Sequence, residues 1–332
     1  MSIPSLTRRG ALAGLAGAAA VTSMGRTARA APTKIRFLTS WFAEAEHGGF
    51  YQAKATGLYE KAGLDVDVKM GGPQINGMQL LTGGAADIIM GYDIQVLNSI
   101  GNGVPVTTIA TSFQFDLQGV MTHDDIKSIA DLKGRKILIG ASSHTTFWPW
   151  LKKKYGFTED QVGVDTFNLA PFIIDRKLAM QGYPSSEPFE AVAAGEKVNF
   201  FLFADEGYPP YSTTMVTTDK FVATQSDACQ AFVKASLEGW KDYMVNPGPG
   251  NKLIQIENPK ENNERLAFAL QKMKDLHVLD RGEAKTNGIG TMTKARWKAT
   301  HDFLVDAKLL KPGVAWEKAF TTKYTDHLKI LV

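Results

Sequence analysis

From Lys34 onward the chain alternates short apolar runs with stretches whose apolar residues recur at helical spacing. Ile35 to Thr39 reads as a strand and leads to a helix from about His47 to Ala55. Leu64 to Lys69 reads as the next strand, followed through Gly71-Gly72-Pro73 by a helix near Ile75 to Leu81. Ala86 to Gly91, a helix over Ile94 to Ile100, and the run Val106 to Ser112 continue the series. Strand-then-helix units of roughly 20 to 25 residues predict parallel strands joined by crossover helices, an α/β lobe.

A second series starts at the Gly119 to Thr122 run. It carries a helix-like Ser128 to Leu132, a strand over Lys136 to Gly140, a helix from about Thr145 to Tyr155, and the run Val162 to Asn168. Pro171, favoured in a first turn, opens a further helix; Glu187 to Ala194 and the run Phe200 to Phe203 complete a second α/β lobe. Beyond the strand-like Tyr211 to Thr218 the pattern is helical: Ser226 to Asn246 with Ser226 as a cap, about Asn258 to Leu276, and about Thr293 to Ala307. Too few strands remain there for a separate sheet, so the tail is expected to pack on the first lobe. The expected organisation is a two-lobed α/β chain: residues 31–118 in lobe 1, 119–210 in lobe 2, and 211–332 returning to lobe 1. Two crossings, near Asp116 to Gly119 and Gly207 to Tyr211, would make a hinge and a cleft. No internal repeat is visible in the sequence.

The N-terminus changes the charge picture. Thr7-Arg8-Arg9 precedes ALAGLAGAAAVTSM and then Ala28-Arg29-Ala30, the pattern of a twin-arginine export signal cleaved near Ala30, over residues 1–30. Its apolar stretch of about 14 residues is shorter than the ~20 that span a bilayer. Setting residues 1–30 aside removes four arginines and no acidic residue, taking Lys+Arg from 37 to 33 against 34 Asp+Glu. A near-neutral chain without a basic tract gives no electrostatic reason to bind nucleic acid or anionic membrane. Cys229 is the single cysteine, so no intramolecular disulfide forms. It falls on the helical stripe Cys229, Phe232, Val233, Ser236, Trp240, Tyr243, which reads as core.

In open α/β sheets, ligands sit beyond the carboxyl ends of the strands. The segments expected there are rich in aromatic residues, including Trp41, Tyr92, Phe113 and Tyr183, which together predict an aromatic-lined cleft. Their polar residues include Glu46, His47, Asp93, Ser142, His144, Thr145, Glu187 and Asp205, with no Arg or Lys. A cleft for nitrate or a sulfonate is expected to bring a cationic fork, so the balance favours a neutral or amine-bearing ring. No nucleophile elbow, phosphate-cradling lysine loop, HExxH or CxxC occurs, and neither metal nor cofactor is implied.

The motifs WFAEAEHGGFYQAKATGLYEKAGLDVDV, LLTGGAADI, DLKGRKI, GYPSSEPFEA and GYPPYSTTMVTT, in this order, resemble the periplasmic substrate-binding proteins of ABC importers, in the group related to thiamine-pyrimidine synthases. The resemblance implies a type II periplasmic-binding fold that closes on a ligand stacked between aromatic rings and docks, as a monomer, on a membrane permease and its ATPase. Trp41, His47 and Gly48 match the pyrimidine binders, while Glu46 stands where that group often has Asn or Thr. Tyr183 and Glu187 match the group's element facing the cleft from the second lobe. The expected ligand is a thiamine-precursor pyrimidine; sulfonate, nitrate and riboflavin-like ligands are the alternatives within the fold. A pyrimidine synthase is the alternative outside it, and such enzymes also carry a cysteine-rich iron segment that this chain lacks.

Overall fold

The computed structural model describes residues 31–332, so the expected signal peptide lies outside the described residues. The first sheet contains β1 (Thr33–Leu38), β2 (Leu64–Lys69), β3 (Ile88–Gly91) and β4 (Val106–Phe113). The second contains β5 (Gly119–His123), β6 (Ile137–Ile139), β7 (Val162–Val164), β8 (Ala179–Gly182) and β9 (Val198–Leu202); β10 (Ser212–Thr218) returns to the first. Strand orders are β2-β1-β3-β10-β4 and β7-β6-β8-β5-β9. In each, four strands run in the same direction, and the one formed just after a crossing, β10 or β5, runs antiparallel to both neighbours. The two lobes therefore share one strand order although their sequences show no repeat.

Side-chain pattern explains the strands. In β2, Leu64, Val66 and Val68 are buried and alternate with exposed Asp65, Asp67 and Lys69, as suits a strand with one wet face. All of β4 is buried, although it ends the strand order. Its outer edge is covered by the C-terminal segment, where the Thr321 N–H donates to the Thr108 carbonyl at 2.9 Å.

The tail packs on lobe 1 through the pair Gly48-Gly49. These open the helix Gly48–Ala55, which lies against the helix Ser226–Val245. A Cβ on Gly48 would stand 2.1 Å from Tyr243, and one on Gly49 2.2 Å from Trp240, so only glycine lets the two helices approach this closely. The stripe from Cys229 to Tyr243 is buried, and burial pushes the Cys229 thiol up to about 11.

Three local expectations change. Ala179–Gly182 has no sequence signal for a strand, since Gln181 and Gly182 are poor strand formers, yet β8 sits in the middle of its sheet. Ser226 is the first helical residue instead of the cap, and its hydroxyl meets Tyr324 Oη at 3.1 Å. The stretch expected over about Asn258 to Leu276 forms the helix Asn263–Asp275, capped by the Asn262 side chain, and a further helix, Gly248–Glu257, precedes it. Among the described residues no helix is long and apolar enough to cross a membrane.

Candidate functional site in the inter-lobe cleft

A cavity of about 310 Å³ opens between the sheets, at the carboxyl ends of β1, β3, β6, β7 and β8. After β1 the chain turns through Trp41 and Glu44 into a short 3₁₀ turn, Ala45–His47, which buries Glu46 and His47. Tyr92 follows β3, and Asp116 and Gln118 come from the first crossing. The opposing wall carries Ser142 and Ser143 after β6, Asp165 and Phe167 after β7, and Gln181, Tyr183 and Glu187 around the end of β8.

The lobes touch across this cavity. The Tyr92 and Tyr183 hydroxyls lie 2.9 Å apart, and Tyr183 Oη donates to Asp116 Oδ1 at 3.3 Å. The Ser185 hydroxyl donates to Glu46 Oε1. The Trp41 ring meets that of Phe167 with centroids 4.9 Å apart and planes at 60°. Outside the cavity, Arg265 from the tail helix Asn263–Asp275 reaches Glu190 and, at 3.0 Å, Ser186 Oγ, both on lobe 2; its Nε stands 3.2 Å from Glu261.

Two residues lining the cavity hold left-handed backbone despite their side chains, Phe167 at φ 56° and Thr213 at φ 55°. For an aromatic and a β-branched residue that conformation is strained, and such strain gathers at functional sites. Phe167 is held in it by its N–H donating to Asp165 Oδ1 at 2.7 Å.

Electrostatically the cavity is one-sided. Its carboxylates are Glu44, Glu46, Asp116, Asp165 and Glu187, and no Lys or Arg lines it among the described residues. Burial pushes Glu187 and Asp116 each up to about 7. Glu46 is raised by burial as well, and Glu44 by burial and then by neighbouring Glu46, Glu261 and Glu187. Burial drives His47 down to about 3, so its imidazole is neutral. Its Nδ1 is buried without a hydrogen-bond partner among the described residues.

Of the site residues expected from sequence, Trp41, Glu46, His47, Tyr92, Ser142, Tyr183 and Glu187 are brought together around the cavity. The others lie outside its lining. Asp93 is turned toward the second crossing, accepting the Tyr211 N–H at 3.0 Å and the Thr300 hydroxyl at 2.8 Å. Phe113 is core, its ring 5.0 Å from Trp240. His144 and Thr145 are exposed on the 3₁₀ turn Ala141–Thr145, and Thr145 Oγ1 donates back to the Ser142 carbonyl. Asp205 pairs with Arg281 at 2.7 Å on the surface. Sequence reasoning missed Phe167, Asp116 and Gln181. The Asp165-x-Phe167 turn was within reach as a side-chain-to-backbone signal, whereas Gln181 depended on recognising β8.

Two lobes of like strand order, crossed twice and closing on a cavity at their strand ends, define the two-lobed type II periplasmic-binding fold. Within that fold the chain belongs to the NMT1/THI5-like family, matched over residues 44–249. It is 24% identical over 298 residues to the formylaminopyrimidine-binding protein of Halalkalibacterium halodurans, covering 87% of this chain and 89% of that protein. To the riboflavin-binding protein RibY of Chloroflexus aurantiacus it is 24% identical over 318 residues, 92% of this chain and 90% of that one. Its fold matches the periplasmic aliphatic sulphonate binding protein SsuA from Escherichia coli with a TM-score of 0.65 at 15% identity, over 86% of this chain and 91% of the other. That last likeness speaks to fold alone.

Proposed function

We propose that this chain is the solute-binding component of an ABC importer, exported to the periplasm by the twin-arginine route, and that it captures a small nitrogen-containing aromatic ring of the thiamine-precursor pyrimidine type. The observation that carries this reading is the inter-lobe cavity, aromatic on two sides and acidic throughout. Its volume of about 310 Å³ lies at the lower end of the roughly 300–1,000 Å³ usual for ligand sites, which suits one ring better than a fused three-ring system. Family membership and the formylaminopyrimidine-binding relative support the same reading. An anion such as a sulfonate or nitrate would meet carboxylates and no cationic side chain in the lining.

Function here is capture, not catalysis. The solute favours the closed form because only there do both lobes contact it. Trp41 offers a ring face from lobe 1, while Glu46 and Glu187 accept hydrogen bonds from ring amines; a buried carboxylate left unmatched is costly, so the contact discriminates. The closed lobes then present their outer faces to the permease, which works with its ATPase.

Native mass spectrometry of the protein as purified, followed by a thermal-shift panel, tests this. Expected is stabilisation by 4-amino-5-hydroxymethyl-2-methylpyrimidine or its formylamino analogue. Stabilisation by taurine or nitrate alone refutes it.

A further inference from the structure

We propose that the solute is taken up as a cation, its ammonium or amidinium group held between Glu44, Glu46 and Glu187, and that capture displaces protons from the cavity. The inference rests on the binding role above and goes beyond it by fixing the charge of the solute.

Five carboxylates line the cavity, and Glu261 and Glu190 act on them from behind. The cation acting on this set is Arg265, which Glu190, Glu261 and Ser186 already share. Fully ionised, the group would leave several negative charges uncompensated in a poorly solvated space, a state that folded proteins avoid by pairing or by protonation. Without solute, protons do the compensating: burial holds Glu187 near 7 and raises Glu44 and Glu46. Most of these groups already have donors. Glu187 accepts the Tyr183 N–H at 2.7 Å, Glu46 the Ser185 hydroxyl, and Asp116 the Gln118 N–H at 3.1 Å. The Glu44 carboxylate accepts no hydrogen bond among the described residues, and it stands beside Glu46 and Glu187.

His47 is the independent second sign. Its side chain is 1% exposed and lines the cavity, and its Nδ1 is buried with no hydrogen-bond partner among the described residues. With its proton on the other ring nitrogen, this neutral imidazole offers a lone pair beside the carboxylates, and a solute group that only donates, an ammonium or amidinium, satisfies both. When such a group enters, each carboxylic acid it displaces releases its proton to solvent, leaving a carboxylate paired with the cation; no oxidant or other reactant is involved.

The test compares two probes that share a ring and differ in charge, 4-amino-5-aminomethyl-2-methylpyrimidine and 4-amino-5-hydroxymethyl-2-methylpyrimidine, with putrescine as a cation without a ring. Titration calorimetry at about pH 6 and pH 8, in buffers of different ionisation enthalpy, reads affinity and protons released. The aminomethyl probe is expected to bind about tenfold more tightly than the hydroxymethyl probe at pH 8, to lose much of that preference at pH 6, and to release protons. Glu44→Gln and Glu187→Gln, which keep an acceptor, are expected to reduce the preference while leaving the melting temperature within a few degrees. Equal or tighter binding of the hydroxymethyl probe at both pH values overturns the proposal and leaves the pyrimidine reading standing. Binding of putrescine with neither ring bound retains the cation and removes the pyrimidine. Failure of every cationic probe to bind overturns the proposal.

Discussion

Tyr92 at the end of β3 and Tyr183 at the end of β8 join hydroxyls 2.9 Å apart, so one hydrogen bond ties the first sheet to the second across the cavity. Tyr183 passes the link on to Asp116 in the first crossing at 3.3 Å. A net hydrogen bond contributes about 0.5–1.5 kcal/mol, enough to shift an open–closed balance up to about tenfold. Tyr92→Phe is therefore expected to raise the open population of the solute-free chain, seen as a larger radius of gyration in small-angle scattering. An unchanged scattering profile would show that closure does not depend on this pair.

Trp41, the proposed ring platform, is half-buried, with the Phe42 ring at 5.5 Å and the Phe167 ring at 4.9 Å. Trp41→Ala is expected to abolish solute-induced thermal stabilisation and to leave the solute-free melting temperature within a few degrees, since the lost ring contacts amount to about 0.5–1.5 kcal/mol each beyond burial. Phe167→Gly removes the ring but relieves its left-handed backbone, so the solute-free chain should lose little stability while solute escapes faster in stopped-flow dissociation. Retained solute shifts in Trp41→Ala would refute the stacking role.

Stability of the solute-free chain should fall as pH rises from about 4 to 7. Glu187, Asp116 and Glu261 sit near 7 in the folded chain and Asp93 near 6, against about 4 for an ordinary carboxyl. Folding favours their protonated forms, so their contribution is complete below about 4 and is lost through 7. His47, held down to about 3, acts oppositely over the same range, because the unfolded chain takes up a proton there that the folded one refuses. Four carboxyls outweigh one imidazole. Calorimetric scans should find a melting temperature several degrees higher at about pH 5.5 than at pH 8, and a flat profile would count against protonated carboxyls in and beside the cavity.

Gly49→Ala should be destabilising although Gly49 lies outside the cavity lining. The new methyl would stand 2.2 Å from Trp240, forcing apart the helices Gly48–Ala55 and Ser226–Val245. Overpacking of this kind costs about 1–3 kcal/mol. Urea unfolding measures it, and a loss under about 0.5 kcal/mol would mean the helices can separate cheaply.

The α/β class and the clustering of Trp41, His47, Tyr183 and Glu187 were legible in the sequence, because alternation of strand and helix places strand ends on one side and chemistry concentrates there. What escaped it depends on tertiary context. Gly48 counts in the sequence only as part of the motif around His47, but a helix nearly two hundred residues later requires both Gly48 and Gly49. Asp93 looks like a cleft carboxylate, but Tyr211 and Thr300 claim it. Arg265 gave no signal, because its helix belongs to the tail and its reach to Glu190 exists only once that tail has docked beside the cleft.

The position of β10 has a consequence for how the chain is made. Residues 119–202 hold all five strands of the second sheet, so that sheet can assemble as soon as they leave the ribosome. The first sheet cannot, because β4 has β10 as its one strand neighbour and β10 lies beyond the whole second lobe. The lobe whose synthesis begins first is thus the last to close, and until Ser212–Thr218 emerges the flanks of β3 and β4 stay open to chaperones or to wrong partners.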